Sequence, residues 1–317
     1  MPKKLKLIVD DSITFEQGFN EFLESCKARN LREGTIKHYR ESFVSITRFI
    51  NSDALIRDFN KQTVDKFVKD CINNNTMNSQ TLYTYTRDLK TMFYFFMKME
   101  YMSTFKIKLP SVDKVAIETY SDAELKVLLK KPDIKHCNFA TYRDWVIIDF
   151  LLSTGVRLNS LINIKVKDID FTNEVVHVNV TKNRKPLIIP LNVTIIKILK
   201  EYLKYRQNKN LDDYLFPNVY GGKISKSAIA ASLSKYNKER GIIKTGIHRY
   251  RHTFAKKFIL SDMPVTSLQK LLGHSSLLIT EHYLNILVTD LKKDVEKFNI
   301  LQEFTGNHIK LKKPTTE

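Results

Sequence analysis

Residues 102–119, "MSTFKIKLPSVDKVAIET", carry neither helical nor strand periodicity and include Pro110, whereas both flanks are strongly patterned. A break of that kind in a chain of 317 residues predicts two domains, each long enough to bury its own core. Stretched out, the segment reaches on the order of 50 Å, enough to place two domains on different sides of a rod-shaped ligand. Before the break the pattern is helical throughout. "TFEQGFNEFLESCKAR" opens with a capping box (Thr14, Gln17) and lines up Phe15, Phe19, Phe22, Leu23 and Cys26 on one face. "GTIKHYRESFVSITRFI" repeats the stripe, a shorter helix follows Asn60, and a long one runs from about Ser79 to Tyr101. Aromatic residues at helical spacing are read here as core, which leaves Lys37, Arg40, Arg87 and Lys90 on polar faces for a partner.

After the break, "YSDAELKVLL" starts a helix with a second capping box (Ser121, Glu124), and "WVIIDFLLSTG" ends one at Gly155, a residue suited to a helix C-cap. The stretch "IDFTNEVVHVNVTKNRKPLIIPL" is the clear β region: Val176, Val178 and Val180 alternate with polar neighbours, "TKNRK" turns, and "PLIIPL" returns. Helices follow at about 193–208, 225–239 and from 247 to about 283, then a basic polar tail. The fold class expected is mainly α with a small antiparallel β-sheet.

Charge narrows the function. Lys and Arg total 52 against 34 Asp and Glu, a net charge of +18. The excess is shared, +5 before Pro110 and +13 after it, so a single basic tail does not explain it. Basic surface spread over two folded domains points to a polyanion; the plainer reading is a lysine-rich soluble protein, since 39 of the 52 are Lys. Three scattered cysteines (Cys26, Cys71, Cys137) give no disulfide framework and no metal-ligand spacing. No stretch reaches the roughly 18 apolar residues of a membrane span, because Asp149 interrupts the best candidate, and the apolar part of the N-terminus is too short for a signal peptide. The expectation is a cytoplasmic protein without a membrane partner.

The stretch "GIHRYRHTF" poses a sharper question. His248 and His252, four apart, share a helix face and could pinch a metal; His248 and Arg251, three apart, could grip an anion. Arg249 and Arg251 would repel a divalent cation, and no glutamate follows His248 as it does in a zinc protease. Protonated histidines beside a bidentate guanidinium suit phosphate oxygens better. Alone, the cluster is weak. It belongs, however, to a longer series: "STGVRLNSL" with Arg157, "VTKNRKP" with Lys182 and Lys185 at a hairpin turn, "HRYRH", and "LLGHSSLLITEHYLNI", where His274 stands nine residues before Tyr283.

In type, order and spacing this series resembles the tyrosine recombinases, the family of phage integrases and Xer proteins. The family pattern is T-G-x-R, a hairpin lysine, H-x-x-R-H, then L-G-H with a nucleophilic tyrosine nine residues on. The resemblance covers nearly the whole chain and implies a C-shaped, two-domain clamp on double-stranded DNA. Its parts would be a helical core-binding domain (1–104), a linker (105–119), a mixed α/β catalytic domain (120–304) and a basic tail (305–317). It implies that Tyr283 attacks the scissile phosphate to form a 3′-phosphotyrosyl bond. Arg157 and Arg251 would clamp the non-bridging oxygens, and Lys182, rather than Lys185, would protonate the leaving 5′-oxygen. His248 would assist proton movement at the tyrosine, His274 would donate to the phosphate, and His252 would prop the helix. No metal, nucleotide or other cofactor is implied. The partners implied are DNA and further copies of the chain, a dimer per site and a tetramer in the synapse, with an accessory directionality factor as a further partner and the nucleoid as the location.

Two features set this chain apart. Family members commonly read T-G-x-R-x-x-E-L, whereas this chain has Ser160 where the glutamate stands; serine can hydrogen-bond but carries no charge. Only about a dozen residues precede the first helix, which favours the simpler, Xer-like architecture without an arm-binding domain. The segment after Tyr283 places Leu287, Leu291, Val295, Phe298 and Leu301 at helical spacing, to dock on a neighbouring protomer or on its own domain. The Ser160 departure keeps a second class open, a recombinase-fold DNA-binding regulator that no longer recombines. A type IB topoisomerase is a third.

Overall fold

The computed structural model describes residues 12–74, 77–112, 118–206, 210–261 and 263–274. The chain divides into two compact units, Met1–Val115 and Ala116–Glu317.

The first unit is built from helices α1 (Phe15–Ala28), α2 (Glu33–Ile46), α3 (Lys61–Asn73) and α4 (Ser79–Lys98). Thr14 and Gln17 form the expected capping box, and Asn60 and Asn78 cap α3 and α4 through their side chains. The aromatic stripes are core, as their spacing requires: Phe15, Phe22, Phe93 and Phe96 are all but sealed from solvent, and Phe19 stacks flat on Phe43 with ring centroids 3.9 Å apart. Phe105 and Ile107 also pack on this core, and Lys90 Nζ donates to the Ile107 carbonyl at 3.0 Å. Among the described residues one charged group is buried between these helices. The Asp88 carboxylate, 2 % exposed, accepts from Ser42 Oγ at 2.7 Å and lies 2.8 Å from His38 Nε2, so its desolvation is offset by neighbours on α2.

The second unit surrounds one helix. After α5 (Asp122–Leu128) comes α6 (Phe139–Thr154), which is apolar on nearly every side and packs against three later helices. Those are α8 (Val193–Tyr205), α9 (Lys226–Lys238) and α10 (His248–Leu260); the short α7 (Leu158–Leu161) precedes them and α11 (Val265–Leu272) follows. Two charges inside α6 answer each other: Arg143 and Asp144, both 3 % exposed, pair at 2.7 Å, and Ser232 and the Pro217 carbonyl take up remaining valences. Between α7 and α8 lies an antiparallel sheet in the order β1 (Ile169–Asp170), β2 (Val175–Val178), β3 (Leu187–Pro190), with Val176 opposite Ile189 and Val178 opposite Leu187. Mainly α with a small antiparallel sheet is therefore the fold.

The hairpin departs from the alternation read in the sequence. Val176 and Val178 are buried, but Val180 is 41 % exposed, because the strand ends at Val178. Asn179 then reaches back to donate to Asp168 Oδ1 at 3.0 Å, and the buried position passes to Thr181, whose hydroxyl donates to the Lys185 carbonyl at 2.7 Å. Inward facing thus resumes three residues after Val178 instead of two. The turn that follows sets Arg184 at φ 57°, a left-handed conformation at a non-glycine residue.

Candidate active site

Two glycines bring the site together. Gly155 ends α6 at φ 60°, and a Cβ there would lie 2.4 Å from Phe254 Cδ1 and 2.9 Å from Leu272 Cδ2. Only glycine combines that conformation with that closeness. Gly273 closes α11 the same way, at φ 60°, with the amide N–H of His274 donating to the Gln269 carbonyl and that of Gly273 to Lys270. Helix ends leave carbonyls without helical partners, and their negative dipole favours cations. Two arginines use these carbonyls. Arg157, just past Gly155, donates Nη1–H to the Leu272 carbonyl at 3.0 Å. Arg251, one turn into α10, donates Nη1–H to the Gly155 carbonyl at 2.5 Å and Nη2–H to Leu272 at 2.9 Å. Both guanidiniums therefore hang from one oxygen.

His274 completes the group. Its Nε2 lies 2.9 Å from Arg251 Nη2. A guanidinium can only donate, so Nε2 is the acceptor and the neutral ring carries its hydrogen on Nδ1. Burial, then Arg251 and Arg157, push the His274 pKa down to about 4. His248, the first residue of α10, is shifted down as well, by desolvation of its ring and then by the same two arginines. The downward shifts favour the uncharged ring at both His248 and His274, and the contact with Arg251 places the His274 hydrogen on Nδ1.

Arg157, Arg251 and His274, but not His248, border a cavity of about 400 Å³ that Ser160, Thr181, Asn183 and Lys185 also line with several apolar neighbours. Among the described residues no Asp or Glu lines it. The charge of two guanidiniums is therefore concentrated in a hollow to which no described carboxylate contributes, which suits a tetrahedral oxyanion. Ser160 is 5 % exposed and its hydroxyl makes no hydrogen bond among the described residues.

Not every residue picked out in the sequence meets there. Lys182 is exposed on the hairpin turn and does not line the cavity, whereas Lys185 does. The turn is nonetheless tied to the site, since Asn183 Nδ2 donates to the Gly273 carbonyl at 3.3 Å; no spacing rule pointed to that asparagine. His252 is partly buried on α10, and among the described residues no three His, Cys, Asp or Glu side chains gather as a metal ligand set. Tyr283 lies outside the described residues, as do the apolar positions that follow it.

The model of the phage integrase family matches residues 120–289. The chain belongs to that family. Among curated relatives it is 28 % identical over 272 residues to tyrosine recombinase XerC of Staphylococcus epidermidis, covering 84 % of this chain and 90 % of that one. Tyrosine recombinase XerD of Staphylococcus haemolyticus is 25 % identical over 281 residues, 86 % of this chain and 94 % of the other. Among solved structures, the Tn1549 transposon integrase in complex with a circular intermediate DNA superimposes with a TM-score of 0.71 at 19 % identity, covering 89 % of this chain and 100 % of that one. A lambda integrase dimer bound to a COC′ core site gives 0.69 at 15 % identity, over 86 % and 95 %. At these identities the superpositions speak for the fold.

Proposed function

We propose that this phage integrase family member is a site-specific recombinase that cleaves and rejoins duplex DNA with Tyr283 as its nucleophile. The observation that carries the reading is the hollow, lined by no carboxylate among the described residues, in which Arg157 and Arg251 meet on the Leu272 carbonyl and His274 meets Arg251. In this reading a scissile phosphate enters the hollow and the two guanidiniums neutralise its non-bridging oxygens, more strongly as the pentavalent transition state gains charge. The Tyr283 oxygen attacks phosphorus, the bond to the 5′-oxygen breaks, and Lys182 gives that oxygen its proton; the product is a 3′-phosphotyrosine and a free 5′-hydroxyl. Holding a phenolate at pH 7 costs about 4 kcal/mol, and a neutral His248 is able to accept the tyrosine proton as attack proceeds. The phosphotyrosyl bond retains the energy for religation, so the reverse attack of a 5′-hydroxyl reseals the strand. Two protomers act per crossover site and four in the synapse, in the cytoplasm at the nucleoid, with a directionality factor as an optional further partner. The DNA complexes of the transposon and lambda integrases support the duplex as substrate, and a lambda integrase tetramer bound to a Holliday junction supports the assembly.

The test needs no knowledge of the site. Wild-type protein and Tyr283→Phe are produced in a bacterial host and denatured without crosslinker, and any DNA still attached is sequenced. DNA retained by the wild type alone identifies both the chemistry and the target. Crosslinked occupancy without covalent DNA from either protein would instead mean a DNA-binding regulator, the reading that the uncharged Ser160 favours.

A further inference from the structure

One hydroxyl of the catalytic unit differs from the other buried ones. Among the described residues the remaining buried serine and threonine side chains are all hydrogen-bonded: Ser42 donates to Asp88, Thr86 to the Leu82 carbonyl, Thr154 to Phe150, Thr181 to Lys185 and Thr253 to Arg249. Ser160 is only 5 % exposed, yet its hydroxyl does not fold back on the carbonyl one turn earlier as those of Thr86, Thr154 and Thr253 do. Leaving a buried hydroxyl unpaired is costly, and a ligand oxygen would supply the missing partner.

The hydroxyl has somewhere to reach. Its Oγ is not shut off from solvent, as the unpartnered Asp149 Oδ2 is, and the cavity that Ser160 lines is the hollow that also holds Arg157 and Arg251. The Ser160 N–H donates to the Arg157 carbonyl at 2.9 Å across one turn of α7, so the two side chains, three residues apart, leave the chain on the same side. Nor is the hydroxyl used to hold an arginine. Arg157 hangs from the Leu272 carbonyl and Arg251 from Gly155 and Leu272, and neither donates to Ser160. A carboxylate at this position could only accept, and it would cancel positive charge in the hollow; a hydroxyl can donate outward and leaves that charge intact.

We propose that Ser160 is a further catalytic residue whose hydroxyl donates to a non-bridging oxygen of the scissile phosphate, beside the forks of Arg157 and Arg251. The inference rests on the recombinase reading for its substrate. The contact strengthens as the pentavalent transition state gathers charge on those oxygens. The hydroxyl keeps its hydrogen throughout, so the proton balance between Tyr283 and the leaving 5′-oxygen is unchanged.

The experiment uses the full-length protein in two arms. In the first, inorganic phosphate is titrated against wild type and Ser160→Ala by calorimetry at low salt, without DNA. Loss of the hydroxyl should weaken phosphate binding by about 10-fold. In the second, the target duplex named by the Tyr283→Phe comparison carries at the scissile position either the natural phosphate or one of two methylphosphonates, in which a methyl group replaces one or the other non-bridging oxygen. Ser160→Ala should slow single-turnover cleavage of the natural duplex by about 10²-fold, more than it weakens phosphate binding, because the contact grows in the transition state. Relative to wild type, that deficit should vanish on the methylphosphonate lacking the oxygen that Ser160 serves and persist on the other. Both methylphosphonates meet the same variant protein, so a folding defect would show equally on each. Unchanged phosphate binding, or an equal deficit on both methylphosphonates, overturns the proposal and leaves Ser160 as a packing residue. Weaker phosphate binding by Ser160→Ala with no covalent DNA from the wild type would keep the hydroxyl's contact with the anion and sink the recombinase reading, so the two failures are told apart.

Discussion

Gly155→Ala probes the junction on which the arginine pair depends. Two costs add. A left-handed conformation costs an alanine roughly 1–2 kcal/mol. The new Cβ would also stand 2.4 and 2.8 Å from two carbons of the Phe254 ring and 2.9 Å from Leu272 Cδ2, and overpacking of this kind costs about 1–3 kcal/mol. The sum is about 2–5 kcal/mol, which lowers the melting temperature of a domain of this size by roughly 4–20 °C. Relief of the clash requires the Phe254 ring and the Leu272 side chain, or the helices α10 and α11 that carry them, to move away from the end of α6. Arg251 is anchored on both the Gly155 and Leu272 carbonyls, so DNA cleavage should fall even well below the melting temperature. Gly241→Ala is the control: Gly241 has φ +74° but a Cβ there meets nothing within 4 Å, so it carries the conformational cost alone. The assay is thermal denaturation of all three proteins beside strand cleavage at 20 °C. If Gly155→Ala melts within a degree or two of Gly241→Ala and cleaves normally, the packing argument for the arginine anchor is wrong.

Three further outcomes are expected. His274 has its pKa depressed, so the stability it contributes is complete above about 6.5, where the unfolded ring is neutral, and is lost as pH falls toward 4; denaturant titrations from pH 7 to 4.5 should show about 1–2 kcal/mol less loss in His274→Gln once solvent screening is allowed for. Asp149, partly buried in α6 with Oδ2 unpartnered among the described residues, has its pKa pushed up to about 7 by burial, so its contribution is present at low pH and lost as pH rises through 7. Asp149→Asn should therefore be about 1–2 kcal/mol more stable than wild type at pH 8, with the gap closing toward pH 4. Lys182→Ala should slow strand cleavage by about 10²–10⁴, and a substrate with sulfur in place of the leaving 5′-oxygen, which needs no proton to depart, should recover it; Lys185→Ala behaving this way instead would transfer the role to the lysine that lines the cavity.

What the sequence disclosed followed from local rules. The capping pairs at Thr14 and Ser121 and the apolar stripes of α1 to α4 are written within one or two turns of chain, and the structure repeats them. Arg157, Arg251 and His274 were legible because they form a spaced series, and Gly155 because glycine stops helices. The Leu272 carbonyl was not, since main-chain oxygens leave no mark on residue type. Nor was Asn183, whose link to Gly273 spans 90 positions and depends on α11 packing beside β3. The hairpin misled at Val180 because a strand end is decided by a side-chain contact, Asn179 to Asp168, that alternation cannot encode.

The carbonyl shared by Arg157 and Arg251 has a consequence for tolerance to motion. Two guanidiniums fixed to separate supports would drift independently, and the gap between them would vary with every fluctuation of either support. Here both are referenced to residue 272, so a displacement of that point carries the pair in the same direction and cancels in their difference. The spacing between the two forks, which must match oxygens on a single phosphorus, therefore varies less with residue 272 than it would on separate supports, and the second anchor of Arg251 on the Gly155 carbonyl ties the pair to the end of α6.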